Sequence, residues 1–265
     1  MPSLPIDLQT LLDVYGLGLS VQGALALGLL ILAAVALGLA LLRFPESKAI
    51  NLRRLPAYDR IKQAVTDAAE TGQTLHFSAG TGTIGSAATA DTLAGVNAVG
   101  ALAERAAAAG VSTVVTTSSA LVLPVLQNKT EDAYQRAGAA REYDPSQVRF
   151  AGEDPFAYAV SVADIFGRDV GASFVLGSLG DEILLIGERG RMAGVPQVIG
   201  TVNSPALPYA VFTANHVAAG EEIYAAGAYL SGRRALVASL VAQDWLRLLV
   251  VAAIIVGVVI KTAGL

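Results

Sequence analysis

Strongly apolar, uncharged residues are concentrated near both ends of the chain. The first such run extends from Tyr15 to Leu42, and residues 23–42 alone would form a helix of about 30 Å, the thickness of the hydrocarbon core of a bilayer. The residues before the run include two aspartates and no lysine or arginine, unlike the basic start of a secretory signal peptide. The pattern therefore predicts a retained transmembrane helix at residues 18–43.

The second apolar run, residues 248–260, would form only about 20 Å of helix, which is short for a membrane span. A buried core helix is one interpretation of such a run. Trp245 and Arg247 suit a membrane interface, however, and the long side chain of Lys261 can extend outward to the opposite interface. We therefore expect a second transmembrane helix at residues 245–262.

Basic residues follow the first run and are absent before it. They are Arg43, Lys48, Arg53 and Arg54. Because basic residues favour the cytoplasmic side of a membrane, residues 1–17 are predicted to form an extracytoplasmic segment and residues 44–244 a cytoplasmic domain. We expect a two-pass protein of the cell membrane, with its N-terminus outside.

Between the two runs, short segments rich in Val, Ile, Phe and Thr alternate with longer, alanine-rich segments of helical periodicity. Strands are predicted at residues 74–78, 111–117, 148–151, 172–176 and 197–201, with a sixth strand or turn near His216–Ala219. Helices are predicted at residues 57–71, 87–109, 124–137, 156–168 and 181–190. This alternation predicts an α/β fold: a mostly parallel, Rossmann-like sheet covered by helices and flanked by one transmembrane helix at each end.

Small or polar residues follow each predicted strand. Because the carboxyl ends of parallel strands share one edge of the sheet, where α/β proteins bind ligands, these residues form a candidate ligand site. Its members are Gly80, Thr81, Gly82, Gly85, Thr117, Ser118, Ser178 and Asn203. The same residue types also serve turns and helix caps, so a purely structural role stays open.

The segment Gly80–Gly85 has the spacing G-x-G-x-x-G and lies between a strand and a helix, where glycines can let backbone amides approach a pyrophosphate. The acidic residue expected to bind a ribose is missing, because the next strand ends in TTSS. A helix also precedes the first strand, unlike the usual order of a dinucleotide-binding domain. A nucleotide at this loop is therefore only an alternative hypothesis, and no cofactor is otherwise expected.

Composition limits the chemistry further. The 265 residues include no cysteine and two histidines, which excludes disulfides and thiolate catalysis and makes a metal site rich in these ligands improbable. The net charge of −4, without a long basic run, predicts no nucleic-acid partner. Carboxylates at Glu153, Asp154, Asp181 and Glu182 suit metal or acid–base chemistry, but a role at helix starts, where they complement the helix dipole, is the favoured explanation. We expect no metal site, and the composition favours a function other than catalysis.

Two segments resemble a family of bacterial and archaeal membrane proteins known only as a domain of unknown function. They are RFAGEDPFAYAV, at residues 149–160, and EEIYAAGAYLSG, at residues 221–232. The order of parts also agrees: an apolar N-terminal helix, LPAYDRIKQAV, HFSAGTG, and an apolar helix after QDW. The resemblance supports the architecture and assigns no catalytic residue.

Two hypotheses of function follow. The first is a homo-oligomeric membrane scaffold, whose partners are the lipid bilayer and further copies of the chain, with Tyr224 and Tyr229 as candidate contacts between subunits. The second is a ligand-binding module, with or without enzymatic activity, that uses the carboxyl edge of the sheet.

Overall fold

The computed structural model describes residues 21–43 and 53–262, which fall into two compact units. One unit consists of the helices α1 (Val21–Arg43) and α9 (Arg234–Thr262), and the other is the α/β domain between them. In chain order, the domain contains α2 (Pro56–Thr71), β1 (Thr74–Gly80), α3 (Thr89–Ala108), β2 (Thr113–Thr117), α4 (Leu123–Arg136), β3 (Val148–Phe150), α5 (Pro155–Ile165), β4 (Val170–Ser178), α6 (Glu182–Ala193), β5 (Gln197–Thr201), α7 (Leu207–Thr213), β6 (His216–Ala219) and α8 (Glu222–Ser231).

The six strands form one sheet in which every pairing is parallel, in the order β3-β2-β1-β4-β5-β6. In the centre, Phe77 of β1 lies opposite Val115 of β2 and Phe174 of β4. The chain winds outward from β1 in one direction and from β4 in the other, so the order reverses between these two strands. The predicted parallel α/β sheet is confirmed, and the segment at His216–Ala219 is its sixth strand.

Alternation along the strands assigns side chains to the two faces of the sheet. In β1, Leu75 and Phe77 point to one face, whereas His76 and Ser78 point to the other. We call the helices on the first face, α2, α3, α4 and α8, the first layer, and those on the second face, α5, α6 and α7, the second layer. Each layer buries its own apolar cluster against the sheet, so the domain has three layers.

Glycines allow α3 to approach the centre of the sheet. A Cβ atom at Gly95 of α3 would lie 2.3 Å from the carbonyl oxygen of Leu176 in β4, and 3.2 Å from the Cα of Ala79 in β1. Any larger residue would separate helix and sheet there. The contact holds α3 against the junction of β1 and β4, which is where the strand order reverses.

The two-helix unit is held together by alanines. Ala36 and Ala40 of α1 pack against Ala238 and Ala242 of α9, and all four are buried. Outside this contact, the large apolar side chains of both helices are mostly exposed. Both helices are long and apolar enough to cross a membrane, in agreement with the prediction. α9 is one continuous helix, as the helical periodicity of residues 233–245 predicts, and the predicted span at residues 245–262 forms its C-terminal part.

Some predicted features lie outside the described residues. These are the extracytoplasmic segment at residues 1–17, the first residues of the predicted helix 18–43, and Lys48. The orientation of the chain across a membrane stays a prediction.

Candidate functional site

The loop after β1 lies where the strand order of the sheet reverses, between β1 and β4. This is the place where open α/β sheets form a crevice for ligands. Five of the predicted site residues meet there. The amide of Thr81 donates to the carbonyl of Ser178 (2.9 Å), and the hydroxyl of Ser118 donates to the carbonyl of Thr81 (3.4 Å). Gly80 and Gly82 complete this group.

The other three predicted site residues have separate surroundings. Gly85 is exposed on the outer part of the loop, where its amide donates to the hydroxyl of Thr89 (3.0 Å). The buried hydroxyl of Thr117 accepts a bond from the amide of Ser119 (3.2 Å). Asn203 donates its side-chain amide to the carbonyl of Leu179 (3.2 Å), which joins the β4 and β5 loops. The contacts of Gly85 and Thr117 are local to their turns, and that of Asn203 joins two loops. All three fit the purely structural role considered in the sequence analysis.

The space beside the second glycine of the loop is occupied by protein atoms. A Cβ at Gly82 would lie 2.2 Å from the hydroxyl oxygen of Thr92 in α3 and 2.7 Å from the Cβ of Ser178. In a dinucleotide fingerprint this glycine lets the backbone approach the pyrophosphate. Here the same smallness serves contacts within the protein, because α3 and the β4 loop close over the position.

A buried carboxylate connects the two loops that flank this crevice. Glu182, at the start of α6, is only 3% exposed. Its Oε1 accepts hydrogen bonds from the hydroxyl of Thr81 (2.7 Å) and from the amide of Gly180 (2.8 Å). A negative charge at this position opposes the binding of a phosphate group. The sequence showed Glu182 as a helix-start residue, and nothing local to it indicated that it would join two loops.

The remaining candidate carboxylates have local roles or face solvent. Asp154 caps α5 by accepting bonds from the amides of Phe156 and Ala157, and Glu153 and Asp181 are exposed. Among the described residues, no three acidic or histidine side chains are grouped as a metal ion would require.

The two central polar residues of β1 belong to a closed hydrogen-bond network under the second layer. The ring nitrogens of His76 contact the hydroxyls of Ser173 (2.8 Å) and Thr116 (2.9 Å), and full burial lowers the pKa of His76 to about 3. The hydroxyl of Ser78 lies 2.5 Å from that of Tyr158, whose pKa is raised to about 12 by burial. Every member is buried and bonded, so the network stabilises the fold and offers no accessible nucleophile.

A polar cleft of about 450 Å³ lies at the opposite edge of the sheet, where β4 and β5 begin. Its charges are partnered within the protein. Arg60 lies 3.8 Å from Asp67, and Asp169 accepts a bond from the side chain of Gln73 (3.1 Å). Segments far apart in sequence form this cleft, which explains why no local pattern predicted it. Because both signs of charge are present and both have partners within the protein, the cleft favours no particular class of ligand.

The two candidate contact tyrosines also have partners within the domain. The hydroxyl of Tyr224 donates to the carboxylate of Asp91, and the ring of Tyr229 lies 5.3 Å from that of Tyr58. Tyr229 is half-buried against the cluster of the first layer. A role for them between subunits stays a prediction.

The second layer carries large apolar side chains on its solvent side. We call this surface the outer apolar face; its residues are Phe156, Val160, Leu184, Leu185, Met192, Tyr209, Val211 and Phe212, all exposed. Within α5, Phe156 and Val160 are four residues apart and therefore share one side of the helix. α5 packs beside α6, and α6 beside α7, so the three apolar outer sides are neighbours. The sequence signal was that the apolar residues of α5 extend beyond the one stripe that a sheet can bury, although Ser161 and Asp164 also lie on the exposed side.

The comparisons with known proteins identify one family. A family model described as a domain of unknown function (DUF6754) matches residues 20–265, which is nearly the whole chain. No curated protein and no solved structure matches the chain. The expected membership of a family known only as a domain of unknown function is confirmed, and the chain belongs to the family of the domain of unknown function DUF6754.

Proposed function

We propose that this protein is a membrane-anchored scaffold whose α/β domains assemble with further copies through the outer apolar face. The observation that carries the proposal is that face: eight large apolar side chains, exposed on three adjacent helices of one layer. Monomeric soluble domains rarely expose a large contiguous apolar surface, because its hydration is unfavourable. A partner that covers the face removes this cost.

Charges beside the face favour another copy of the chain as that partner. Arg168 lies 3.0 Å from Asp164, and Arg191 lies 2.7 Å from Glu188. Each pair is neutral, so two such faces can meet without repulsion between like charges. Two-fold association of identical surfaces is also the commonest form of oligomer among soluble proteins.

The two-helix unit supports the membrane part of the proposal. α1 and α9 expose apolar residues along most of their length, and both are long enough to cross a bilayer. Anchoring confines the domains of different copies to one surface and so raises their effective concentration. A modest contact area can then support assembly.

The test compares full-length protein with charge substitutions on and off the face. Val160 and Leu121 are both 64% exposed, but only Val160 belongs to the outer apolar face. We expect wild type in lipid nanodiscs to form a defined oligomer by native mass spectrometry, Val160→Asp combined with Phe212→Asp to reduce it to smaller species, and Leu121→Asp to leave it unchanged. A monomeric wild type, or an unchanged oligomer in the double variant, would refute the proposal.

The strand order favours one alternative, a ligand site at the Gly80–Gly85 loop, because the loop occupies the usual crevice. Gly82 and Glu182 argue against an anionic ligand there, as described above. Incubating wild type with NAD⁺ and with ATP before native mass spectrometry tests this alternative. A stoichiometric nucleotide adduct would support it. Replacing Gly82 is a poor test, because a Cβ there meets Thr92 and would disturb packing directly.

A further inference from the structure

An open groove in the two-helix unit combines an apolar lining with one cation. It lies at the C-terminal end of α1, has a volume of about 450 Å³, and is lined by Leu39, Leu42, Arg43 and Trp245. All four residues belong to α1 or α9, so the groove is a feature of this unit alone.

The alanine contact explains why a groove forms at this place. Ala40 of α1 and Ala238 of α9 are fully buried, which brings the two helix backbones close together. Larger side chains cannot enter such a contact and project beside it. Leu39, Leu42 and Trp245 do so and remain exposed. The result is an apolar groove whose walls are these side chains.

Basic residues surround the end of the unit where the groove lies. Arg43 is the last residue of α1, and its side chain forms no hydrogen bond or ion pair within the described part of the chain. Arg234 donates to the backbone carbonyl of Leu41, and Arg247 lies 3.5 Å from Asp244. Of these three arginines, only Arg43 lines the groove, and none of the acidic residues in the described part of the chain pairs with it. A cation at the end of a helix also complements the helix dipole, but this role leaves the guanidinium group free to donate.

We propose that the groove binds an anionic phospholipid of the bilayer. One acyl chain lies against Leu39, Leu42 and Trp245, and the phosphate accepts hydrogen bonds from the guanidinium of Arg43. Trp245 suits the level of the lipid headgroups, where an indole ring has both an apolar body and a polar N–H. The inference rests on the membrane anchoring in the proposed function and is independent of the assembly of the α/β domains.

The experiment measures lipid retained by the full-length protein. Protein in nanodiscs that contain phosphatidylcholine and a minor fraction of phosphatidylglycerol is released in a native mass spectrometer, and bound lipids are identified by mass. We expect about one phosphatidylglycerol per protomer, retained in preference to phosphatidylcholine. Arg43→Gln should weaken this retention about tenfold, the loss expected for one charge-assisted hydrogen bond. Arg43→Lys should keep part of it.

Lys261→Gln is the matched control, because it removes one charge from an exposed position at the other end of α9. It should leave the retention of phosphatidylglycerol unchanged. Trp245→Ala, which empties the groove without changing charge, should lower the retention of both lipids. Excess inorganic phosphate should not displace the lipid, because the acyl chain contributes to binding.

Equal retention of the two lipids by wild type would overturn the proposal, as would equal losses in Arg43→Gln and Lys261→Gln. Displacement by inorganic phosphate would also overturn it, since the site would then be one for a free anion. These results are distinct from failure of the proposed function. A protein that does not enter nanodiscs refutes the anchoring, whereas a monomer that still retains phosphatidylglycerol refutes only the assembly.

Discussion

The first and second layers of the α/β domain bury the same sheet in similar ways, but their outer sides differ in character. The outer side of α2 carries Lys62, Gln63, Asp67 and Glu70, whereas the corresponding side of the second layer is the outer apolar face. Of the large apolar residues in the four helices of the first layer, only Leu93 and Tyr224 are exposed in the described structure. The first layer therefore resembles the surface of a finished domain, and the second resembles the surface of a core that is only partly covered.

This difference separates two uses of apolar residues. The residues that face the sheet stabilise the fold of the single chain, because folding removes them from water. The residues of the outer apolar face contribute little to the free energy of folding, because they stay exposed to solvent. Substitutions at inner positions of either layer should therefore change the free energy of unfolding of the single chain, and substitutions at outer positions should not.

The largest effect is expected for Gly95→Ala, at the inner contact of the first layer. The added methyl group meets the carbonyl oxygen of Leu176 at 2.3 Å, and a backbone atom of a central strand cannot move aside. Overpacking should cost roughly 2–3 kcal/mol of the free energy of unfolding, more than the gain in helix propensity. Urea unfolding in detergent, followed by circular dichroism, measures it. Gly167→Ala, whose Cβ would lie 3.3 Å from the Asp164 carbonyl, should cost clearly less.

The next effect, counted per pH unit, is a dependence of the free energy of unfolding on pH at the inner side of the second layer. His76 has a folded-state pKa of about 3 and an unfolded-state pKa near 6.5. Between these two pH values, the imidazole is protonated in the unfolded chain and neutral in the folded chain. The contribution of the neutral imidazole to the free energy of unfolding is therefore complete above about pH 6.5. It decreases by about 1.4 kcal/mol per pH unit as the pH falls toward 3. In urea unfolding measured at a series of pH values, His76→Gln should abolish this part of the slope of the free energy of unfolding against pH. An identical slope in the variant would show that other groups cause the acid sensitivity.

A smaller and symmetric effect is expected for one buried tyrosine in each layer. The hydroxyl of Tyr58 donates to the carbonyl of Glu222 (2.5 Å), and the hydroxyl of Tyr158 lies 2.5 Å from that of Ser78. Removing either hydroxyl should lower the free energy of unfolding by about 1 kcal/mol. Thermal unfolding of Tyr58→Phe and Tyr158→Phe checks this expectation. A loss of stability in only one variant would mean that the two tyrosine hydrogen bonds do not stabilise their layers equally.

The smallest effect is expected on the outer sides. Val160→Ser and Gln63→Ser should each change the unfolding of detergent-dispersed, monomeric protein by less than about 0.5 kcal/mol, because both residues are exposed. Urea midpoints provide the measurement. A loss above about 1.5 kcal/mol in Val160→Ser would place Val160 in the folding core and remove the distinction between the layers.

The sequence predicted elements best where an apolar run has clear limits. β5 and β6 match their predicted ranges, because each is a short apolar segment next to proline, asparagine or glycine. α6 was predicted to end at Gly190, but it continues to Ala193. Gly190 serves a close approach to Gln197, and Gly194, with φ +70°, is the residue that ends the helix. Whether a glycine ends a helix or lies under a neighbour depends on contacts that are distant in sequence.

The site was only partly predictable for a similar reason. The positions of strand ends follow from periodicity, so the meeting of Thr81, Ser118 and Ser178 could be expected from a parallel sheet. The bond from Thr81 to Glu182 could not, because it depends on side chains that are far apart in the chain. α7 was also missed: its seven residues are too few to show helical periodicity.

The order of strands has a consequence for the synthesis of the protein. β1 emerges first but occupies the middle of the sheet, and its partner β4 begins only at Val170. Until that segment leaves the ribosome, one edge of β1 has no strand to pair with, and the half-sheet of β1, β2 and β3 is incomplete. Pairing between such distant segments is slow to form. The nascent chain therefore passes through a stage in which an open strand edge is available to chaperones or to other nascent copies.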